Sequence, residues 1–261
     1  MTLFKHELRQ NRISLLIWTL AISYMLGICV IIYPEMASQM GEITKVFSDM
    51  GSFTSAFGMN QLNFGEFMGY FGVECGNVLG MGGAFFAAIT GITLLAKEEK
   101  DGTADFLLSH PVSRTSIIYA KYASMIAQIL ILNIIVILIT TVSIIAIKEN
   151  PDIKTLALLF FAYFILQLEI GTISFGISAF LKGNGLGIGL GMAFVLYFMN
   201  IVSNLIEEAK FLKHITPFGY ADGAYIVPNN SIEWKYLIAG IAFSIIAIIG
   251  GYIKYRKKDI M

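Results

Sequence analysis

Residues 122–147 read YASMIAQILILNIIVILITTVSIIAI, a run of the chain that contains no charged side chain. A helix needs about 20 predominantly apolar residues to cross the hydrocarbon core of a membrane, which is about 30 Å thick. This run is longer than that minimum. It therefore predicts a helix that spans a lipid bilayer.

Comparable runs occur on both sides of this one, along a chain of 261 residues. We predict six membrane spans, at 13–33, 76–96, 116–147, 155–181, 184–206 and 235–253. Helices are expected because every backbone polar group must be satisfied inside lipid. The predicted fold class is an all-α membrane protein, in which residues 1–261 form a single transmembrane domain.

The composition agrees with a membrane protein and excludes several other classes. Hydrophobic residues make up 56% of the chain and charged residues 14%, whereas a soluble domain carries about a quarter charged residues. The net charge is zero, which argues against a nucleic acid or an acidic partner. Cys29 and Cys75 fall in or beside apolar runs and predict neither a disulfide framework nor a metal site.

The positive charges indicate how the chain is oriented. With both termini in the cytoplasm, 12 of the 18 lysines and arginines lie on the inner side. This bias favours that orientation in the cell membrane. It places a loop at 97–114 in the cytoplasm and the loops at 34–66 and 207–233 outside the cell.

The N-terminal segment, residues 2–12, precedes the first span. Leu3, Phe4 and Leu8 fall on one side of a short helix, and basic residues lie elsewhere on it. This pattern predicts an interfacial helix in the inner headgroup region. A plain basic flank to the first span is the alternative.

The cytoplasmic loop, KEEKDGTADFLLSHPVSR at residues 97–114, is bounded by two helix stops. Gly102 readily takes the left-handed conformation that ends a helix. Thr103 can cap a new helix, and Pro111 disfavours its continuation. The loop is therefore predicted to hold one short, separate helix.

One face of that short helix is apolar. Ala104, Leu107 and Leu108 share this face at helical spacing. Short isolated helices are marginal in water, so we expect another surface to pack on this one. Docking to a partner is the preferred interpretation, and a loop that lies on the lipid headgroups is the alternative.

Several motifs carry a resemblance to a known family. Glu98-Glu99, Gly102-Thr103, Leu107-Leu108-Ser109 and Pro111-Val112-Ser113-Arg114, followed by Lys121, resemble the cytoplasmic loop of ABC-2-type transporter permeases. The start Phe4-Lys5-His6-Glu7-Leu8-Arg9 resembles the N-terminal interfacial helix of that family, and Thr216-Pro217-Phe218-Gly219-Tyr220 resembles its last outer loop. The six-span plan covers the whole chain.

The resemblance implies a role for the loop. In that family the short helix is a coupling helix, which seats in a groove of a separate ATP-hydrolysing subunit. This chain would be the permease subunit of an exporter, without catalytic residues of its own. The residues that would dock the ATPase are Glu98, Glu99, Gly102, Thr103, Ala104, Leu107, Leu108, Pro111 and Arg114.

The resemblance also implies partners. We expect two ABC ATPase subunits, a second permease copy or a related permease, and membrane lipid. ATP and Mg²⁺ are expected in the ATPase, because the phosphate-binding pattern GxxxxGK[ST] is absent from this chain. The cargo implied is a peptide antibiotic, another amphipathic peptide, a lipid or a drug, which would connect the protein with antibiotic resistance.

Glycines inside the spans predict positions at which helices pack closely. Gly183, Gly187 and Gly191 share one helix face, as do Gly76 and Gly80. Such spacing lets helices approach closely in lipid, within one subunit by preference or at a dimer seam.

A carboxylate interrupts the fourth span. Glu169, with Gln167 beside it, is a candidate for the translocation path, since an intramembrane carboxylate rarely faces lipid. A structural hydrogen bond to Gln128 or Asn133 is the alternative interpretation.

Two other functions remain open at this stage. An intramembrane hydrolase could use Glu98, Glu99 and His110, although HExxH is absent and His6, His110 and His214 are far apart. A passive channel or sensor subunit is the third possibility, although few charged residues line any span.

Overall fold

The computed structural model describes residues 2–39, 54, 56, 62–103, 112–183 and 185–258. These residues form helices and turns, without a strand among them. The part described contains six helices long and apolar enough to span a membrane. The predicted all-α membrane fold is therefore confirmed. The main helices are α1 (Thr2–Gln10), α2 (Arg12–Ser38), α3 (Phe67–Thr93), α4 (Arg114–Ala146), α5 (Ile153–Ser178), α6 (Leu186–Leu205), α7 (Gly223–Asn229) and α8 (Trp234–Lys257). Of these, α1 and α7 do not span. Shorter helical segments lie at Lys97–Lys100, Glu207–His214 and Pro217–Gly219.

Some predicted features fall outside the described residues. They include the core of the predicted coupling helix, with Ala104, Leu107, Leu108 and Pro111, and most of the loop at 34–66. Below, the inner end of the helix bundle is the end that holds α1 and Lys258. The outer end is the opposite end, which holds residues 147–152 and 206–233.

Four of the six observed spans are longer than the predicted ones, and the fourth and fifth are slightly shorter. Helix α2 continues through Pro34 to Ser38, and α3 begins at Phe67 instead of residue 76. The predicted second span began at residue 76, after Glu74, because this span was expected to contain no charged residue. In the structure the Cys29 thiol of α2 donates to the Glu74 carboxylate, with 3.6 Å between sulfur and oxygen, so this polar group has a partner within the bundle.

Helix α5 lies at the centre of the bundle and packs on α3, α4 and α8. Glycines allow the closest approaches. A Cβ on Gly91 of α3 would lie 2.3 Å from the carbonyl oxygen of Gly171 on α5, and a Cβ on Gly251 of α8 would lie 2.7 Å from the Cα of Gly176 on α5. These backbones are in contact, which is how small residues hold helices together in lipid.

The predicted packing glycines have different environments. A Cβ on Gly76 or Gly80 would lie 2.9–3.0 Å from the ring or hydroxyl of Tyr163, so this face does pack within the chain. Beside Gly183, Gly187 and Gly191, no described atom lies within 4 Å of the Cβ position. The packing role of these three glycines stays a prediction, whereas the neighbouring Gly185 and Gly189 contact α3.

The outer segment between α6 and α8 folds back into the bundle. The Thr216 hydroxyl donates to the carbonyl oxygen of Leu196, at 2.7 Å, in the middle of α6. Thr216 also caps the short helical turn Pro217–Gly219. Tyr220, which follows that turn, is 1% exposed. The segment therefore reaches into the space between the spans instead of covering their ends.

Candidate functional site

The first stem of the loop at residues 97–114 is fixed by a buried lysine. Lys121, on α4, has no solvent-exposed side-chain surface. Its ammonium group forms an ion pair with Glu98 and donates to the Leu94 carbonyl oxygen at 2.7 Å. It also donates to Glu7 Oε1, at 2.9 Å. A buried charge requires such partners, so the stem, α4 and α1 are held together at one point.

Glu7 connects the N-terminal helix to the same lysine and to a second one. Its side chain is completely buried, and its two oxygens pair with Lys121 and Lys97. Burial by itself would raise the pKa of this carboxyl group. The nearby charges of Lys121 and Lys97 outweigh burial and hold the pKa of Glu7 below its usual value of 4.5.

The C-terminal end of α8 holds the next residue of the stem. Lys258 is 6% exposed, and its nitrogen lies 2.7 Å from Glu99 Oε1. The same ammonium donates to the carbonyl oxygen of Leu181, just after α5, at 2.6 Å. Glu99 is therefore linked through Lys258 to the inner ends of α5 and α8.

The second stem of the loop is fixed by Arg114. Its guanidinium donates to the carbonyl oxygens of Tyr255 at 3.1 Å and Arg256 at 3.2 Å, and also to that of Lys258. These carbonyls belong to the last turn of α8, where unpaired acceptors remain. We call the following set the inner charge network: Glu7, Lys97, Glu98, Glu99, Arg114, Lys121 and Lys258.

Three members of this network were predicted to hold the loop in place, whereas the contacts of the others were not predicted. Glu98, Glu99 and Arg114 came from the family resemblance. Their partners in the structure include Lys121, which binds Glu98 and Glu7, and Lys258, which binds Glu99. No regular spacing in the sequence predicts these pairs. Gly102 has a φ of +66° and lies in the turn after Lys100, as its proposed role as a helix stop requires.

The two candidate residues of the fourth span lie on different sides of α5. Gln167 accepts from Asn133 Nδ2 at 2.6 Å and donates to the Leu79 carbonyl oxygen at 3.4 Å. Glu169 faces α8, where a Cβ on Gly240 would lie 2.2 Å from its Oε2. The two side chains therefore do not line one common cavity, and the suggested bond from Glu169 to Gln128 or Asn133 is not among the contacts of the described residues.

A small polar cavity of about 50 Å³ lies near the outer end. It adjoins the π-helical turn Gly76–Met81 within α3, a geometry that is frequent at functional sites. The Tyr197 hydroxyl donates to Asn77 Oδ1 at 3.1 Å on its wall. The other polar side chains that line the cavity are Tyr163, Asn200, Asn204 and Asp222.

A family model described as ABC-2 family transporter protein matches residues 1–260. No curated protein matches the chain. Within the described part of the chain, no group of three or more His, Cys, Asp or Glu residues could hold a metal ion. The chain therefore belongs to the ABC-2 family of transporter proteins, as a non-catalytic, multi-pass membrane component of an ABC transporter.

Proposed function

We propose that this chain is the permease subunit of an ATP-driven exporter and that residues 97–114 dock a separate ATPase. The observation that carries the proposal is the inner charge network. It fixes both stems of the loop, at Glu98 and Glu99 on one side and at Arg114 on the other. A loop that transmits the movement of an ATPase must be attached rigidly to the helices that it displaces.

The network connects the loop with four other parts of the molecule. Glu98 is tied through Lys121 to α4 and α1. Glu99 is tied through Lys258 to the ends of α5 and α8. Separating a buried ion pair leaves an unpaired charge inside the protein, which is strongly destabilising. These links therefore resist separation. We infer that closure of the ATPase on ATP displaces these inner helix ends together.

The remaining parts of the proposal follow from the family. Two ATPase subunits, with ATP and Mg²⁺, would drive a pair of permeases that enclose the path. Export of a peptide antibiotic, another amphipathic peptide, a lipid or a drug is the direction and cargo that the resemblance supports. The positive charges of the inner end support an orientation with both termini in the cytoplasm.

The ion pairs also weigh against an intramembrane hydrolase. A general base or metal ligand must be free to contact a substrate, a water molecule or a metal. Glu98 is paired with Lys121, and Glu99 with Lys258. Both carboxylates therefore serve as anchors in this arrangement.

Replacement of the apolar docking face tests the proposal. Leu107→Glu or Leu108→Glu would place a charge in an apolar contact, and the desolvation of that charge opposes docking. We expect each variant to insert into the membrane normally and to lose the ATPase during purification from native membranes. The measurement is the amount of ATPase that co-purifies per permease.

Ile153→Glu is the matched control. Ile153 is 78% exposed and begins α5 at the outer end, so the same change in charge occurs on the opposite side of the membrane. This variant should retain the ATPase. Equal amounts of ATPase with Leu107→Glu, Leu108→Glu and wild type would overturn the docking proposal.

A further inference from the structure

Glu169 is a buried carboxylate with unused hydrogen-bonding capacity. Its side chain lies between α5 and α8, and the residue is 4% exposed. Apart from the Tyr220 hydroxyl, no described residue offers its oxygens a hydrogen bond. An ionised carboxylate away from water is costly unless it is paired. Such a residue inside a membrane protein indicates a binding function.

Two hydroxyl groups surround this carboxylate. The Tyr220 hydroxyl faces Glu169, and the Ser244 hydroxyl lies on α8 one turn after Gly240. Within the described chain, the Ser244 hydroxyl oxygen is buried and has no hydrogen-bond partner. The site thus offers a carboxyl group that a bound cation would hold in its ionised form, with hydroxyl oxygens beside it as acceptors. A primary ammonium group supplies the complement, because it has a positive charge and three N–H donors.

An open groove leads to the carboxylate from the surface of the bundle. Its volume is about 250 Å³. Ile241 and Ile245, 43% and 50% exposed, form part of its rim. Apart from Glu169 and Ser244, the groove is lined by Tyr122, Ile165, Leu168, Thr172, Ile241, Ile245 and Ile248. The lining is therefore mostly apolar and suits a hydrocarbon chain.

Glu169 lies in the inner half of α5, nine residues before Ser178, and the groove runs from its level along α8. Gly240, which touches Glu169, follows Trp234 by six residues, or about 9 Å along the axis of α8. From that level the groove continues to Ile248, toward the inner end. A headgroup bound at Glu169 would thus lie nearer the outer surface than its tail.

We propose that this groove binds a primary amine that carries a single alkyl chain. The ammonium group pairs with Glu169 and donates to Ser244, and the chain lies along Ile241, Ile245 and Ile248. Charge complementarity selects the amine over a fatty acid or a fatty alcohol. The site belongs to the permease alone, so the inference does not depend on the docking of an ATPase.

Binding of radiolabelled dodecylamine to the full-length chain in lipid nanodiscs tests this proposal. We expect saturable binding above that of protein-free discs, with dodecanol and dodecanoate as weak competitors. Glu169→Gln removes the charge and keeps the shape. Since loss of one member of a buried charge pair is costly, its affinity for dodecylamine should fall by about thirtyfold or more.

Two further variants keep the test decisive if Glu169→Gln folds poorly. Ile245→Trp fills the groove from its exposed rim and should also abolish saturable binding. Glu74→Gln changes another intramembrane carboxyl group, which lies outside the groove, and should bind dodecylamine like wild type. Wild-type affinity in Ile245→Trp or Glu169→Gln, or no saturable binding by wild type, would refute the site.

Discussion

At the scale of single residues, the charge of Glu7 determines how firmly α1 is joined to the loop. Both Glu7 and Lys121 are completely buried, so removal of the negative charge leaves Lys121 with fewer partners. We expect Glu7→Gln to lower the free energy of unfolding by about 2 kcal/mol. Thermal unfolding in nanodiscs would measure the loss of stability. Glu208→Gln, at an exposed position, is the control and should leave the free energy of unfolding unchanged.

The same residue predicts a dependence on pH. The pKa of Glu7 is depressed in the folded chain, so its ionised carboxylate stabilises the fold above the unfolded pKa of about 4.5. That contribution is lost as the pH falls through the folded pKa. The difference in stability between wild type and Glu7→Gln should therefore be constant near neutral pH and shrink below about pH 4.5. A difference that grows in acid would contradict this assignment.

The inner charge network also shows what could not be predicted at this scale. Glu98, Glu99 and Arg114 belong to a recognisable loop pattern, and this pattern was enough to predict their role. Lys258 is separated from Glu99 by most of the chain. Only the packing of α8 beside the loop brings them together, and hydrophobic periodicity contains no information about that contact.

At the scale of helices, the spacing of glycines along one helix only partly predicts which of them pack against another helix. The search for glycines four residues apart selected Gly187 and Gly191, which have open space beside them. It overlooked Gly176 and Gly251, which bring the backbones of α5 and α8 into contact. Close contact depends on two glycines that meet from different helices, and a pattern along one helix does not reveal the partner.

Two adjacent glycines of α8 offer a matched test of this contact. A Cβ on Gly251 would lie 2.7 Å from backbone atoms of Gly176, whereas no described atom lies within 4 Å of the Cβ position on Gly250. We expect Gly251→Ala to lower the free energy of unfolding by about 1–3 kcal/mol through overpacking. Gly250→Ala should raise it by about 0.5–1 kcal/mol through the helix propensity of alanine.

Thermal unfolding of both variants in nanodiscs provides the measurement. The comparison is internal, because the two substitutions add the same methyl group to neighbouring positions of one helix. Equal stability of Gly251→Ala and Gly250→Ala would show that α5 and α8 do not meet at this point.

At the scale of the whole molecule, the number of spans was predictable because the membrane imposes it. Hydrocarbon excludes unpaired backbone groups and most charges, so each crossing leaves a long apolar run in the sequence. The boundaries were less predictable. The protein supplies a partner for Glu74 within the second span, and this local exception shifted the predicted start of α3.

The proposed function requires the loop at residues 97–114 to face the cytoplasm, because the ATPase obtains its ATP there. The distribution of lysine and arginine favours the same orientation. Asp101→Cys and Glu149→Cys place thiols at exposed positions of the inner and outer ends. Cys29 and Cys75 lie within spans, so wild type gives the background. A membrane-impermeant maleimide should label Glu149→Cys in intact cells and Asp101→Cys only after permeabilisation. The reverse pattern would place the loop outside the cell, where no ATPase driven by cytoplasmic ATP could reach it.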